Sequence, residues 1–185
     1  AEEAKSKTEL SVVRKQIATP EYGKLPPQAV DLEEAVLGAL MLDKEALTDV
    51  IDILKKQSFY KEDHQIIFDA IVDLFQRSEP IDILTVTQEL KKRGELDVVG
   101  GAFYIAQLTN RVASSANVEF HARIIAQKHI QRELIKISSD TIKQAYDESV
   151  DVFDLLDSAE AGLFEVAEGN IRRSYEDMTK LLSDR

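Results

Sequence analysis

The sequence predicts an all-α fold: a compact helical subdomain followed by a long αα-hairpin. Three observations carry that prediction. Apolar residues recur at steps of three and four through most of the chain, the period of a helix and not of a strand. No proline or glycine falls between Asn117 and Asp147, long enough for one helix of about 30 residues, or ~45 Å at 1.5 Å per residue. Strand signals are almost absent. "PIDILTV" has β-branched character, but one isolated run cannot build a sheet, and it reads as an extended approach to a helix at Leu84.

Residues 1–24 are charged and sparsely apolar, and Pro20, Pro26 and Pro27 forbid a continuing helix, so a flexible tail and a stiff lead-in are expected there. Leu10, Val13 and Ile17 form at most a weak helical stripe. In "VDLEEAVLGALML", Asp31 is the expected N-cap, and Leu32, Ala35, Val36, Ala39 and Leu40 repeat at helical spacing. "DKEALTDVIDIL" follows, with Leu47, Val50, Ile51 and Leu54 on one side, and "KEDHQIIFDAIVDLFQR" carries Ile67, Ile71, Leu74 and Phe75. "LTVTQELKKR" is a short helix whose cationic end suits the negative pole of the macrodipole. Gly94 stops it as a C′ glycine, and Gly100–Gly101 turn the chain into "AFYIAQL".

The long helix beginning near Asn117 is broken by "ESVD", and a second helix, about Val152 to Glu168, carries Val152, Leu155, Leu156, Ala159, Leu163 and Val166. A short loop between two amphipathic helices makes a hairpin. Gly169 is expected to end the second helix, with "SYEDMTKLLSDR" starting another. Projected at 100° per residue, Phe120, Ile124, Ile130, Leu134, Ile135, Ile137, Thr141, Ile142, Ala145 and Tyr146 cover about half the circumference of the long helix. Arg132, Glu133, Lys136, Asp140, Lys143 and Asp147 fill the other side. A stripe facing one neighbour is usually little more than 100° wide. This one has room for two neighbours. The returning helix supplies one, and a second subunit is expected to supply the other. The organisation expected is a tail over 1–24, a globular subdomain over 25–115, a hairpin over 116–169 and a linker beginning at 170–185.

The chemistry of the chain is that of a soluble, non-catalytic domain. Its 34 acidic against 23 basic residues give a net charge of −11. Nucleic-acid binding driven by counterion release needs cations, so it is not the default role. Absence of cysteine removes disulfides and thiolate metal sites and fits a reducing cytoplasm. No apolar run approaches the ~20 residues of a membrane span, and the first residues lack the order of a signal peptide. Three of seven glycines fall in "RGELDVVGGAFYIAQLTN". A P-loop needs G-x-x-x-x-G-K-[ST] so that amides, lysine and hydroxyl wrap the phosphates and Mg²⁺. Here Gly101 is followed by Ala102 and Phe103, so the glycines read as corners. His64, His121 and His129 form no zinc set, and no carboxylate or serine pattern matches a catalytic constellation. Catalytic, cofactor and metal residues are therefore expected to be none. A small helical hydrolase working through scattered carboxylates has no spacing to support it.

Four phrases, "LPPQAVDLEEAVLGALMLD", "SFYKEDHQIIFDAI", "EPIDILTVTQELKKRGELDVVGGAFYIAQL" and "SSANVEFHARIIAQKHIQRELI", together resemble the N-terminal domain of DnaB-type bacterial replicative DNA helicases, from about Leu25 to about Glu168. That resemblance implies the collar of a ring-shaped hexamer, a trimer of dimers in which hairpins pair. It implies docking of the C-terminal domain of primase, with helicase loaders as further partners. ATP, Mg²⁺ and DNA would belong to a RecA-like motor domain outside this sequence. Positions matching the family's primase contacts are Asp31, Tyr104, Ile135 and Thr141, the last departing from the aliphatic residue of the pattern. Hairpin self-association would use Leu134, Ile135, Ile137, Ile142, Tyr146, Leu155, Leu156 and Leu163. The alternative is the helicase-binding domain of a primase, which has a similar plan; "DVVGGAFYIAQL" argues against it.

Overall fold

The structure is a computed structural model that describes residues 24–43, 45–110 and 117–183, with side chains described through Glu168. The tail with its Leu10–Val13–Ile17 stripe, and the expected boundary at 115–116, lie outside the described residues. Helices run in the order α1 (Val30–Leu42), α2 (Ala46–Val50), a 3₁₀ turn (Lys56–Ser58), α3 (Glu62–Gln76), α4 (Ile83–Arg93), α5 (Gly101–Asn110), α6 (Val118–Ala145) and α7 (Val152–Ser183). Among the described residues there is no strand, and no helix is long and apolar enough to cross a membrane.

Helix α1 is the centre of the body and packs against α2, α3, α5 and α6. Its segment from Val36 to Met41 is buried without a break, as expected of a helix that is apolar on every side. Asp31 is not its N-cap. The helix starts two residues earlier than that cap would place it, at Val30, with the Ala29 carbonyl accepting from the Leu32 and Glu33 amides at 3.0 Å each, so Asp31 sits exposed in the first turn. A carboxylate there still suits the positive pole of the helix.

Helices α3 and α4 form the outer layer. Ile67, Ile71 and Leu74 are buried as the spacing predicts, whereas Phe75 lies beside that face and stays 39% exposed. Asp82 caps α4 with the reciprocal pattern of a capping box. Its Oδ1 accepts from the Leu84 and Thr85 amides, and Thr85 Oγ1 accepts from the Asp82 amide at 2.9 Å. Gly94 ends α4 at φ +74°, the left-handed conformation a C′ glycine supplies. Arg93 in this last turn does more than face the helix dipole: it bonds Asp73 and Asp69 of α3 and Glu89 of its own helix. Gly100 and Gly101, at φ +95° and +75°, make the corner into α5.

Helix α6 has two parts. Its base, with Val118, Ala122, Ile125 and Ala126 buried, completes the core against α1 and α2. Those four are spaced four, three and one apart and were not part of the wide stripe read from the sequence. Phe120, which was, is 64% exposed. The rest of α6 projects from the body with α7 packed along it. Gly162 lets the two approach closely, since a Cβ there would sit 3.3 Å from Ile137 Cγ2. Between them Asp147 accepts from the Ser149 amide and hydroxyl, and Asp151 Oδ1 caps α7 through the Phe153 amide at 2.8 Å. Gly169 does not end α7, which continues to Ser183. Glycine costs a helix interior only about 1 kcal/mol relative to alanine, so it stops a helix only where the left-handed turn is used.

Candidate protein-interaction surface

The hairpin splits the apolar band of α6 into two faces. Ile130 and Ile137 line the cleft beside Gly162 and Val166 of α7. Ile135 lies about 140° round the helix from Ile130 and points elsewhere. With Leu134 and Ile142 it lines an open groove of about 930 Å³, walled opposite by Leu25, Pro26, Phe59 and Tyr60. Ile135 is 48% exposed. Beyond the groove Tyr146, Val152, Phe153, Leu156, Leu163 and Phe164 are exposed as well. Of the positions expected in pairing, Leu134, Ile135, Ile142, Tyr146, Leu156 and Leu163 are thus on the outside. Ile137 and Leu155 are half-buried, Ile137 against Gly162. Among the described residues, an exposed apolar face of this extent on a projecting hairpin is a candidate interaction surface.

One clamp holds the groove's walls together. The guanidinium of Arg132 donates to the carbonyls of Pro27 and Ser58, both at 2.8 Å, and stands 5.6 Å from the centre of the Tyr60 ring. Sequence spacing puts Arg132 on the solvated face; the structure half-buries it. Burial lowers its pKa from the usual arginine value, an effect opposed by the negative charges of Glu33 and Glu133.

The four positions matched to primase contacts do not meet on one surface of this chain. Asp31 is exposed on α1, and Ile135 lies in the groove. Thr141 is about 120° round α6 from Ile135, half-buried, with its hydroxyl donating to the Ile137 carbonyl at 2.8 Å. Tyr104 on α5 reaches into the body. Its hydroxyl is 2.8 Å from His64 Nε2 and 3.4 Å from Glu34 Oε1, while His64 Nδ1 is 2.7 Å from Glu33 Oε2. His64 and Glu33 are buried, and Glu33 also accepts from the Tyr60 amide at 2.7 Å. With the carboxylate accepting, Nδ1 carries a proton. Gly100 makes room for this ring: a Cβ there would be 3.1 Å from that of Tyr104. The relay was missed in the sequence, although His64 precedes Ile67, Ile71 and Leu74 on the apolar face of α3. A second polar cluster joins α3 to α4, where hydrogen bonds from Arg77 and then Arg93 hold Glu89 below the usual glutamate range against the opposing effect of burial.

Residues 25–127 match the family model of the DnaB-like helicase N terminal domain. The chain is 44% identical over 162 residues to the replicative DNA helicase DnaB of Rhodothermus marinus, which covers 88% of this chain and 17% of that protein. The chain therefore spans less than a fifth of that relative's length. Among solved structures it is similar to the N-terminal domain of DnaB helicase from Mycobacterium tuberculosis, at 38% identity and a TM-score of 0.73, covering 76% of this chain and 99% of that one. The fold is also that of a DnaB-like replicative helicase solved to describe its interactions with primase, at 22% identity and a TM-score of 0.61, covering 75% of this chain and 30% of that one. A central buried helix, a projecting hairpin with one face uncovered and a family match over more than half the sequence lead to one conclusion: the chain belongs to the DnaB-like helicase N-terminal domain family.

Proposed function

We propose that this chain is a non-catalytic collar of a replicative helicase ring, which assembles by pairing its hairpin with copies of itself and docks the C-terminal domain of primase. The paired state is a homodimer or a hexamer built as a trimer of dimers, with a helicase loader as a further partner. Unwinding, with its ATP, Mg²⁺ and DNA contacts, belongs in this reading to a RecA-like domain of the parent protein, joined through a linker that begins in residues 170–185. The place of action is the replisome in the bacterial cytoplasm. The single observation that carries the reading is the exposed side of the hairpin, where Ile135, Ile142, Tyr146, Leu156 and Leu163 keep from 37% to 86% of their surface open among the described residues. The family supports it, and the primase alternative is not favoured by likenesses that lead to helicases. Asp31, Tyr104, Ile135 and Thr141 are the proposed positions through which primase binding is felt, the first and third by contact.

Light scattering with and without the primase C-terminal domain tests the proposal. The wild-type chain is expected at the mass of a dimer or larger, and Ile135→Asp at that of a monomer. A carboxylate left unpaired in a dry contact costs several kcal/mol, enough to outweigh most of a modest interface. Wild-type mass for the variant would show that pairing uses another surface. Turnover of any nucleotide by the pure chain would revive an enzymatic reading.

A further inference from the structure

We propose that Arg132 is a positioning residue that sets the direction in which the hairpin leaves the body. It thereby sets how the uncovered face is presented to a second subunit. The inference deepens the collar reading and rests on it only in its second half.

The last buried side chain of α6 is that of Ala126. Arg132 lies about 9 Å farther along the axis, at 1.5 Å per residue, where the helix has left the core. Without a tether the projecting part would pivot on the packing of its base alone. Arg132 supplies the tether with a fork no other cation offers. Two of its nitrogens reach carbonyls from separate parts of the chain, 105 and 74 residues away in sequence. Pro27 lies in the lead-in segment and Ser58 at the end of the 3₁₀ turn, places where carbonyls lack a helical partner and need an outside donor.

The platform under the guanidinium is itself fixed to the core. Tyr60, whose ring lies beneath Arg132, gives its backbone amide to buried Glu33 of α1. Gln65 ties the neighbouring Phe59 carbonyl to α3 at 2.8 Å. One planar group therefore locks α6, the lead-in segment and the 3₁₀ turn in a single arrangement. Those are the three walls of the groove holding Leu134, Ile135 and Ile142. Lysine would keep the charge and the stem, but as a compact point donor it does not match the fork geometry of two carbonyls.

The chain has no cysteine, so spin labels can be placed at will. Labels at Gln88→Cys on the body and Glu148→Cys at the hairpin turn, both exposed positions, report the hairpin angle by electron–electron dipolar spectroscopy at monomer concentrations. One narrow distance distribution is expected for the parent. Arg132→Lys and Arg132→Met are expected to broaden or shift it while the thermal midpoint stays close to the parent's. Unlabelled variants are expected to weaken self-association by about tenfold, the effect of roughly 1.4 kcal/mol. Unchanged distributions in Arg132→Lys would overturn the proposal, and that variant decides the matter if Arg132→Met fails to fold. Broadened distributions with unchanged self-association would overturn the coupling to pairing. If the parent does not self-associate at all, the collar reading fails, while the distance measurement still decides whether Arg132 sets the angle.

Discussion

The two ends of α6 are one continuous helix, yet they solve different problems. At the base, Val118, Ala122, Ile125 and Ala126 are small or branched residues fitted closely against α1 and α2. Farther out, larger side chains at Leu134, Ile135 and Ile142 line an open groove. The difference teaches that apolar character alone does not mark a core. What separates the two ends is how closely another element of the same chain lies opposite. Where the facing wall stands off across a groove, apolar side chains stay open to solvent.

Paired substitutions break that comparison most directly. Ile125→Ala is expected to destabilise the chain by about 2–5 kcal/mol, the range for a buried branched residue cut to alanine, whereas Leu134→Ala at monomer concentration should cost well under 1 kcal/mol. Denaturant melts check both, and similar losses would mean that the outer part is as tightly packed as the base. The next effect concerns fully buried polar groups, which among the described residues lie in the body. His64→Leu leaves Glu33 without its ring partner and should cost about 3 kcal/mol, because removing one member of a buried pair strands the other. A loss under 1 kcal/mol in the same melts would mean that the backbone bonds to Glu33 are enough.

The smallest effect is electrostatic. Glu89 is held below the usual glutamate range by hydrogen bonds from Arg77 and Arg93, so its folded pKa is below its unfolded one. The sign follows: its contribution is fully present above the ordinary glutamate value and is lost as pH falls through the depressed one. Thermal midpoints measured down an acid series should fall less steeply in Glu89→Gln than in the parent. Parallel curves would assign the acid sensitivity to other carboxylates.

Much of the fold is legible in the sequence because its signals are local. Gly94 ends α4 with the left-handed turn that glycine alone adopts easily, and the absence of breakers between Asn117 and Asp147 marks α6 nearly to its ends. The double glycine is a corner with positive φ at both residues. Signals that depend on distant partners are less legible. Nothing near Arg132 in sequence indicates that carbonyls of Pro27 and Ser58 await it. The choice of Ile125 over Phe120 as a core residue depends on where α1 lies. Gly169 looks like a stop because glycine often is one, but the residue permits a turn without imposing it. Among the site residues, Ile135 is recoverable from the width of the apolar band, whereas the inward reach of Tyr104 needs His64 and Glu33 opposite it.

Helix α1 touches α2, α3, α5 and α6, and that central place has a kinetic side. The amides of its buried run from Val36 to Met41 should meet solvent only when the body opens, so they are expected to be the slowest in the chain to exchange with deuterium. Amides of the hairpin's outer turns open by local fraying and should exchange much faster. The contrast provides an internal clock: slowing confined to the outer turns on mixing with a partner would report binding there, while α1 keeps its own unhurried time.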